Sequence, residues 1–155
     1  VQMLYLDQPV LKRETALSYL DAGLKDVREA IRRDVKKMSL YRLKSGLLKA
    51  RFDLTYEIDD LTAAIEAAYQ ALSLYPASPD EHVGLADLLA FGAAKLDDMH
   101  LANQALEHYQ QALHLDASRP GTDEARRWSI HKRQEILEKI EALSLSEETG
   151  PAASL

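Results

Sequence analysis

Residues 64–76 of the chain read AIEAAYQALSLYP, and residues 105–117 read ALEHYQQALHLDA. In both stretches an apolar or small residue returns every three or four positions, which is the spacing of one face of an α-helix. A weaker version, AIRRDVKKMSLY, occupies residues 30–41. The three stretches begin 34 and then 41 residues apart, and self-similarity at such periods is typical of helical-repeat proteins. The sequence therefore predicts three copies of one helical unit.

The composition favours an all-α fold. Leu and Ala supply 48 of the 155 residues, whereas the β-branched residues Val, Ile and Thr supply 16. A hydrophobic fraction of 46% with 28% charged residues excludes wholesale disorder. Because cysteine is absent, disulfides, thiolate metal sites and cysteine nucleophiles are excluded. No apolar run approaches the roughly 20 residues of a membrane-spanning helix, so we expect no span in this chain.

We predict a single helical-repeat domain over residues 1–143, built as a right-handed α-solenoid of antiparallel helix pairs. The predicted pairs cover residues 10–40, 42–74 and 79–115. A capping helix over residues 130–143 and a C-terminal tail over residues 144–155 complete the prediction. Because the chain begins at Val1, we expect a processed mature chain or an excised domain.

Local signals predict where the helices begin and end. Gly23 indicates the end of a first helix. Residues 78–81, SPDE, form a capping box with proline at the first helical position, which predicts a helix over residues 79–96. The remaining predicted caps are Asp59, Asp60, Asp97, Asp98 and Ser129.

The second and third stretches resemble the second helix of a tetratricopeptide repeat. In that family, small or aromatic residues and then a proline follow the first alanine at intervals of four, seven and twelve residues. The matching positions here are Ala64, Ala68, Ala71 and Pro76, and then Ala105, Tyr109 and Ala112 with Ala117 in place of the proline. The first stretch departs from the pattern at Asp34 and Lys37, and the Trp, Leu-Gly and Tyr signature of the family's first helix is scarcely readable. The resemblance covers about residues 24–117 and implies a concave surface that binds a peptide or a protein.

A narrower resemblance involves ALHLD at residues 112–116, RPGTDE at 119–124 and RWS at 127–129. This run is similar to the repeat-bearing C-terminal region of bacterial O-antigen ligase-like membrane proteins. The alternative that it implies is a soluble extracytoplasmic accessory domain of a polysaccharide ligase or polymerase, whose catalytic groups lie outside this chain. We accordingly favour an extracytoplasmic or secreted location over a cytoplasmic one.

The sequence contains no motif that indicates an enzyme. Residues 44–46, KSG, lack the upstream glycine of a phosphate-binding loop, and no Gly-x-Ser-x-Gly motif occurs. His131 and Glu135 share a helix face, but two ligands make a weak metal site. The cluster of Asp97, Asp98 and His100 near a turn is explained by helix capping. We therefore predict no enzyme activity, no cofactor and no metal site.

Charge is distributed unevenly along the chain. The net charge is +6 over residues 1–51, −11 over residues 52–118 and −1 over residues 119–155. The acidic body would repel a polyanion, so nucleic acid is not an expected partner. Such asymmetry favours association of unlike surfaces, which produces rings or filaments. We predict that the chain binds itself head to tail, or else binds a protein or peptide ligand.

The residues predicted to form this contact fall into a basic, an acidic and an apolar group. The basic group, expected on one helix, is Arg32, Arg33, Lys36 and Lys37. The acidic group, with only Lys95 to balance it nearby in sequence, is Asp80, Glu81, Asp87, Asp97 and Asp98. Leu145 and Leu155 of the tail are expected to add apolar area. The alternative is that the basic group is neutralised within one molecule by Asp53, Glu57, Asp59 and Asp60.

Overall fold

The computed structural model of the chain describes residues 2–119 and 128–148. Over these ranges the protein consists of helices joined by short connections and contains no strand, so the predicted all-α class is confirmed for the described residues. The helices are α1 (Gln2–Arg33), α2 (Met38–Thr55), α3 (Ile58–Leu74), α4 (Pro79–Leu96), α5 (Met99–Ala117) and α6 (Ile130–Glu148).

The helices form two compact units, unit 1 over Val1–Leu74 and unit 2 over Tyr75–Leu155. In unit 1, α2 packs against both α1 and α3. In unit 2, α5 packs against both α4 and α6. The single repeat domain over residues 1–143 and its solenoid arrangement stay predictions.

Both units contain the same helix–connection–helix pattern at an interval of 41 residues. α2 and α4 begin at Met38 and Pro79 and have 18 residues each. After each of them comes a two-residue connection, whose first residue adopts the left-handed conformation with φ of 57° at Tyr56 and 50° at Asp97. Because this conformation lets the backbone N–H of that residue bond a carbonyl four positions back, it ends the helix and turns the chain. The second and third sequence stretches therefore lie in corresponding helices, α3 and α5.

The predicted helix boundaries of the first pair are wrong, because α1 does not end at Gly23. α1 continues through Gly23 to Arg33, and residues 34–37 form the connection to α2. A Cβ atom at residue 23 would lie 3.4 Å from a methyl carbon of Leu47, which is an ordinary van der Waals contact, so this glycine is tolerated within α1 rather than required there. The chain breaks instead at Asp34, whose carboxylate accepts a hydrogen bond from the backbone N–H of Lys36 at 3.2 Å.

Three of the predicted caps are confirmed. The Ser78 hydroxyl accepts from the backbone N–H of Glu81 at 3.3 Å, and α4 covers the predicted residues 79–96. The Ser129 hydroxyl accepts from the backbone N–H of Lys132 at 3.1 Å at the start of α6. The Asp98 carboxylate accepts from two backbone N–H groups in the first turn of α5. Each of these side chains satisfies donors that the helix itself leaves without partners.

The other predicted caps have different roles. Asp97 is the left-handed residue that ends α4. Asp59 and Asp60 lie inside the first turn of α3, and the buried carboxylate of Asp60 accepts a hydrogen bond from Arg51 of α2 at 2.7 Å. Arg51 also donates to Asp21 of α1 at 2.9 Å, and these hydrogen bonds to Asp21 and Asp60 raise the pKa of its guanidinium. The ion-pair network joins all three helices of unit 1.

Small side chains form the buried seams of both units. In α3 the buried alanines are Ala64, Ala67 and Ala71, and in α5 they are Ala102, Ala105 and Ala112. Ala64 and Ala71 correspond to Ala105 and Ala112 at the 41-residue interval, as the sequence pattern predicts. Ala68 is half-buried, whereas its neighbour Ala67 is buried. The close approach lets the Ser45 hydroxyl of α2 donate to the Ala64 carbonyl of α3 at 2.8 Å.

The last helix extends five residues beyond its predicted end at residue 143. Residues 144–148, assigned to the tail by composition, are helical, and the Ser144 hydroxyl donates to the Ile140 carbonyl one turn back. Ile136 is fully buried and provides the apolar contact of this helix within unit 2. Leu155 and the other tail residues, 149–155, lie outside the described residues.

Candidate functional site

The first helix of the chain exposes an apolar face. Leu11 and Tyr19 both lie on the surface of α1, and the side chain of Tyr19 is 76% exposed. Together with Lys12, Thr15 and Ala16 they line a shallow groove of about 580 Å³. These positions recur at intervals of three, four and eight residues, so they share one side of the helix. Leu11 and Tyr19 are therefore available for contact with another surface on this side of α1.

The last helix exposes a second apolar face. Ile130, Leu137 and Leu145 of α6 are exposed, with Ile130 at 87%. Spacings of seven and eight residues place these side chains on one side of α6. The buried Ile136 lies about 100° around the helix from Leu137, so the exposed stripe is distinct from the side that packs in unit 2. Leu145, which sequence reasoning assigned to a tail contact, is part of this stripe.

The predicted basic group lies at a helix junction rather than on one helix. Arg32 and Arg33 end α1, and Lys36 and Lys37 lie in the connection that precedes α2. All four side chains are exposed. The reason is the turn at Asp34, which interrupts the single helix that the apolar spacing of residues 30–41 predicts.

Three of the four acidic residues expected to neutralise this group are engaged elsewhere in unit 1. Asp53 pairs with Lys49 at 3.4 Å, and Arg51 pairs with Glu57 and Asp60. The basic group lies where α2 begins, whereas these acids lie at or beyond its last turn. An 18-residue helix is about 27 Å long, so direct pairing is excluded by distance. Within the described ranges, Arg33 contacts Glu29 at 3.1 Å, and no ion pair joins the other three cations to these acids.

The predicted acidic group does not face one open surface. Asp80 accepts from the indole N–H of Trp128 at 2.9 Å, and Asp87 accepts from Tyr109 and from Lys139. Glu81 is buried, and its backbone N–H takes part in the cap of α4. As described above, Asp97 and Asp98 form the connection between α4 and α5. Lys95 is the single cation nearby in sequence, and α6 adds Lys139, which pairs with Asp87 of α4 at 2.9 Å.

A buried carboxylate fastens α6 to the rest of unit 2. Asp116 of α5 is fully buried. It accepts from the backbone N–H of Trp128 at 2.9 Å and from Arg133 at 2.9 Å, while Arg119 lies 3.6 Å away. Lys132 and Lys139 lie over the rings of Trp128 and Tyr109, respectively. This cluster holds the beginning of α6 in place and leaves its apolar stripe outside.

Two histidines on neighbouring helices share a hydrogen bond that sequence reasoning missed. His82 of α4 is buried, and its Nδ1 lies 3.0 Å from Nδ1 of His108 on α5. The Nε2 atom of His82 lies 2.8 Å from the Pro76 carbonyl oxygen. Burial and the proximity of His82 lower the pKa of His108, and Glu107 opposes this effect. The pair is 26 residues apart on two different helices, so no local spacing indicates it.

The remaining features of the described side chains concern metal binding and the environment of Tyr109. The described residues contain no cluster of three or more His, Asp or Glu side chains that could bind a metal ion. Tyr109 donates to Asp87, and burial followed by this hydrogen bond raises the pKa of its hydroxyl. The hydroxyl of Tyr109 therefore stays protonated and donates a hydrogen bond to Asp87, which joins α5 to α4.

Neither the protein-family models nor the curated proteins yield a match to this chain. Among the helices in the described ranges, none is long and apolar enough to cross a membrane.

Proposed function

We propose that this chain is a non-catalytic helical-repeat interaction module that associates with copies of itself head to tail. In this arrangement the exposed α1 face of one copy covers the exposed α6 face of the next. The observation that carries the proposal is the presence of an apolar stripe on both the first and the last helix. Because the two stripes are different surfaces, their contact repeats from copy to copy and gives a ring or a filament.

The net charges of the two units support this choice of partner. Unit 1 contains twelve Lys and Arg against eleven Asp and Glu, giving +1, whereas unit 2 contains seven against fourteen, giving −7. A contact between α1 and α6 of different copies brings a weakly positive unit to a strongly negative one. A contact between two α6 faces would instead bring two strongly negative units together. Complementary charge favours the head-to-tail encounter.

The apolar contact supplies the free energy that exposed charges do not. Exposed ion pairs contribute about 0–1 kcal/mol each. Complete burial of one Leu, Ile or similar side chain contributes about 1.5–3 kcal/mol. Five such side chains lie on the two stripes, namely Leu11, Tyr19, Ile130, Leu137 and Leu145. The proposed interface therefore depends on these residues first and on the charges second.

The proposal includes a right-handed solenoid of stacked helix pairs. The 41-residue recurrence, the buried alanine seams and the resemblance to tetratricopeptide repeats support it. In such a stack the terminal helices need a cover, and a second copy provides one. Small-angle X-ray scattering of a monomeric variant tests the arrangement, because a stacked solenoid scatters differently from two independently oriented units.

The head-to-tail contact is tested by a complementation experiment with Tyr19→Glu and Leu137→Glu. Each substitution places a charge on one of the two stripes, at a position that is exposed in the single chain. We expect each variant alone to be monomeric by light scattering while remaining helical by circular dichroism. An equimolar mixture should form a one-to-one dimer, because each variant retains the face that the other has lost. The wild-type chain should form larger species.

Other outcomes would contradict the proposal. A symmetric contact between two α1 faces predicts that Tyr19→Glu abolishes association, that Leu137→Glu leaves it intact and that mixing restores nothing. A wild-type chain that is monomeric at every concentration would leave only the binding of a peptide or another protein. Tyr75→Glu is the matched control, since Tyr75 is exposed in the connection between α3 and α4 and lies on neither stripe. It should associate like the wild-type chain.

A further inference from the structure

We propose that His82 and His108 form a proton-controlled latch that holds the first turn of α4 against α5 at neutral pH and releases it in mild acid. Three groups form the latch. The buried His82 ring makes hydrogen bonds to the Pro76 carbonyl and to the His108 ring. The two rings lie 5.2 Å apart between centroids and are tilted by 30°. This device is independent of the proposed self-association.

The hydrogen bonds determine which nitrogen atoms carry protons. A carbonyl oxygen only accepts, so Nε2 of His82 must carry a proton to bond Pro76. Neutral His82 therefore presents an unprotonated Nδ1 to His108. The contact at 3.0 Å between the two Nδ1 atoms then requires that His108 donates its Nδ1–H.

The same arrangement limits how many protons the closed pair accepts. The closed pair shares one proton between its two Nδ1 atoms. A proton on each of them would place two N–H groups against each other at a separation of 3.0 Å, and the contact would be lost. When the turn opens, both rings reach water and each Nδ1 atom can carry its own proton. Acid therefore favours the open form.

The surroundings of the pair reinforce this preference. Burial lowers the pKa of His108, and the positive charge of His82 lowers it further, while Glu107 on the same helix raises it. On α4, the carboxyl groups adjacent to His82 in sequence are those of Glu81 and Asp80, and Asp80 accepts from Trp128. The cations of α6 are directed to Asp116 and Asp87 rather than to the pair. Because the closed state binds protons less readily than the open state, its stability is present above pH 6.5 and is lost as the pH falls below it.

The latch is coupled to the docking of α6. Trp128 donates its indole N–H to Asp80, which lies two residues before His82 in the first turn of α4. Opening of this turn would release the indole to water. Trp128 is the single tryptophan of the chain, so its fluorescence reports this event without added labels.

The experiment measures the opening of the first turn of α4 between pH 7.5 and 5.0. Over this range the carboxyl groups of ordinary pKa stay ionised. Hydrogen exchange at the amides of residues 81 and 82, corrected for the intrinsic effect of pH, gives the opening constant. If the open form binds one proton more than the closed form, we expect a rise of about thirty-fold, with a red shift of Trp128 emission.

His108→Asn separates the latch from a general effect of acid. The asparagine amide can donate to the bare Nδ1 of His82 or, after rotation, accept from a protonated Nδ1. The contact therefore survives in both states, and this variant should lose most of the pH dependence. His114→Asn, which changes an exposed histidine on the same helix, should retain it. Equal pH dependence in the wild type and in His108→Asn would overturn the proposal.

A second measurement tests the proton positions directly. Nitrogen-15 spectra of the histidine rings at pH 8 should show His82 protonated on Nε2 and His108 protonated on Nδ1. If His108 carries its proton on Nε2, it cannot donate to His82, and the latch is refuted whatever the stability measurements show.

Discussion

The buried side of α3 leaves no room at position 71 for a side chain larger than that of alanine. Its side chain is almost fully buried in unit 1, in the seam that also contains Ala64 and Ala67. Ala71→Leu should overpack this seam and lower the free energy of unfolding by about 1–3 kcal/mol. Urea denaturation measures the effect. Ala22→Leu on the exposed surface of α1 is the control and should change stability by less than about 0.5 kcal/mol. Equal midpoints for the two variants would show that the seam is packed differently.

Asp116 anchors the start of α6 through its buried carboxylate. The buried carboxylate accepts from the Trp128 backbone and from Arg133. Asp116→Ala leaves a buried donor without an acceptor, and we expect a loss of about 1–3 kcal/mol in the free energy of unfolding. Trp128 fluorescence should shift to the red in the folded variant, because the indole loses its fixed position. Glu138→Ala on the exposed side of α6 should leave both measurements unchanged.

At the scale of the helix, two adjacent aspartates in one connection should respond in opposite directions. Asp97 adopts the left-handed conformation at φ 50°, which glycine adopts without strain, and its charge lies at the negative end of α4. Asp97→Gly should therefore raise the free energy of unfolding by about 0.5–1 kcal/mol. Asp98→Ala removes the N-cap of α5 and should lower it by about 1 kcal/mol. Both substitutions remove one negative charge, so shifts of the same sign would show that net charge, and not local geometry, controls stability.

The helices that the sequence predicts well are those with strong local signals. α4 begins and ends where the capping box and the apolar period place it, because the Ser78 hydroxyl and Pro79 act within a few residues of each other. Gly23 misleads for the opposite reason. A single glycine is a weak stop signal, since a helix tolerates it at a cost of about 1 kcal/mol relative to alanine, and α1 continues through it.

The candidate site was predictable only where it depends on exposure along one helix. Leu145 was named only as an apolar residue of the tail, whereas the structure places it on the exposed side of α6. The pairing of Asp87 with Lys139 and of His82 with His108 joins residues 52 and 26 positions apart. Such contacts depend on how the helices pack against one another, and residue spacing within one helix does not predict them. The sequence therefore indicated the acidic excess but not the lysine of α6 that partly balances it.

At the scale of the whole molecule, the proposed assembly combines an apolar contact with a long-range electrostatic attraction. The salt dependence of association distinguishes these two contributions. Reversing Arg32, Arg33, Lys36 and Lys37 to Glu changes the charge by two units at each position, which takes unit 1 from +1 to −7. Both units then have the same negative charge, so association at low salt should weaken.

The response of this fourfold variant to salt identifies the role of the basic group. The Debye length falls from about 10 Å at 0.1 M salt to about 3 Å at 1 M, so long-range repulsion is screened while the apolar stripes are unaffected. If the four cations act by steering, the variant should recover wild-type association at 1 M salt, as measured by sedimentation velocity. If they lie in the interface itself, the buried like charges remain and high salt restores nothing. The wild-type assembly should persist at 1 M salt in the first case, because Leu11, Tyr19 and the α6 stripe supply most of its free energy.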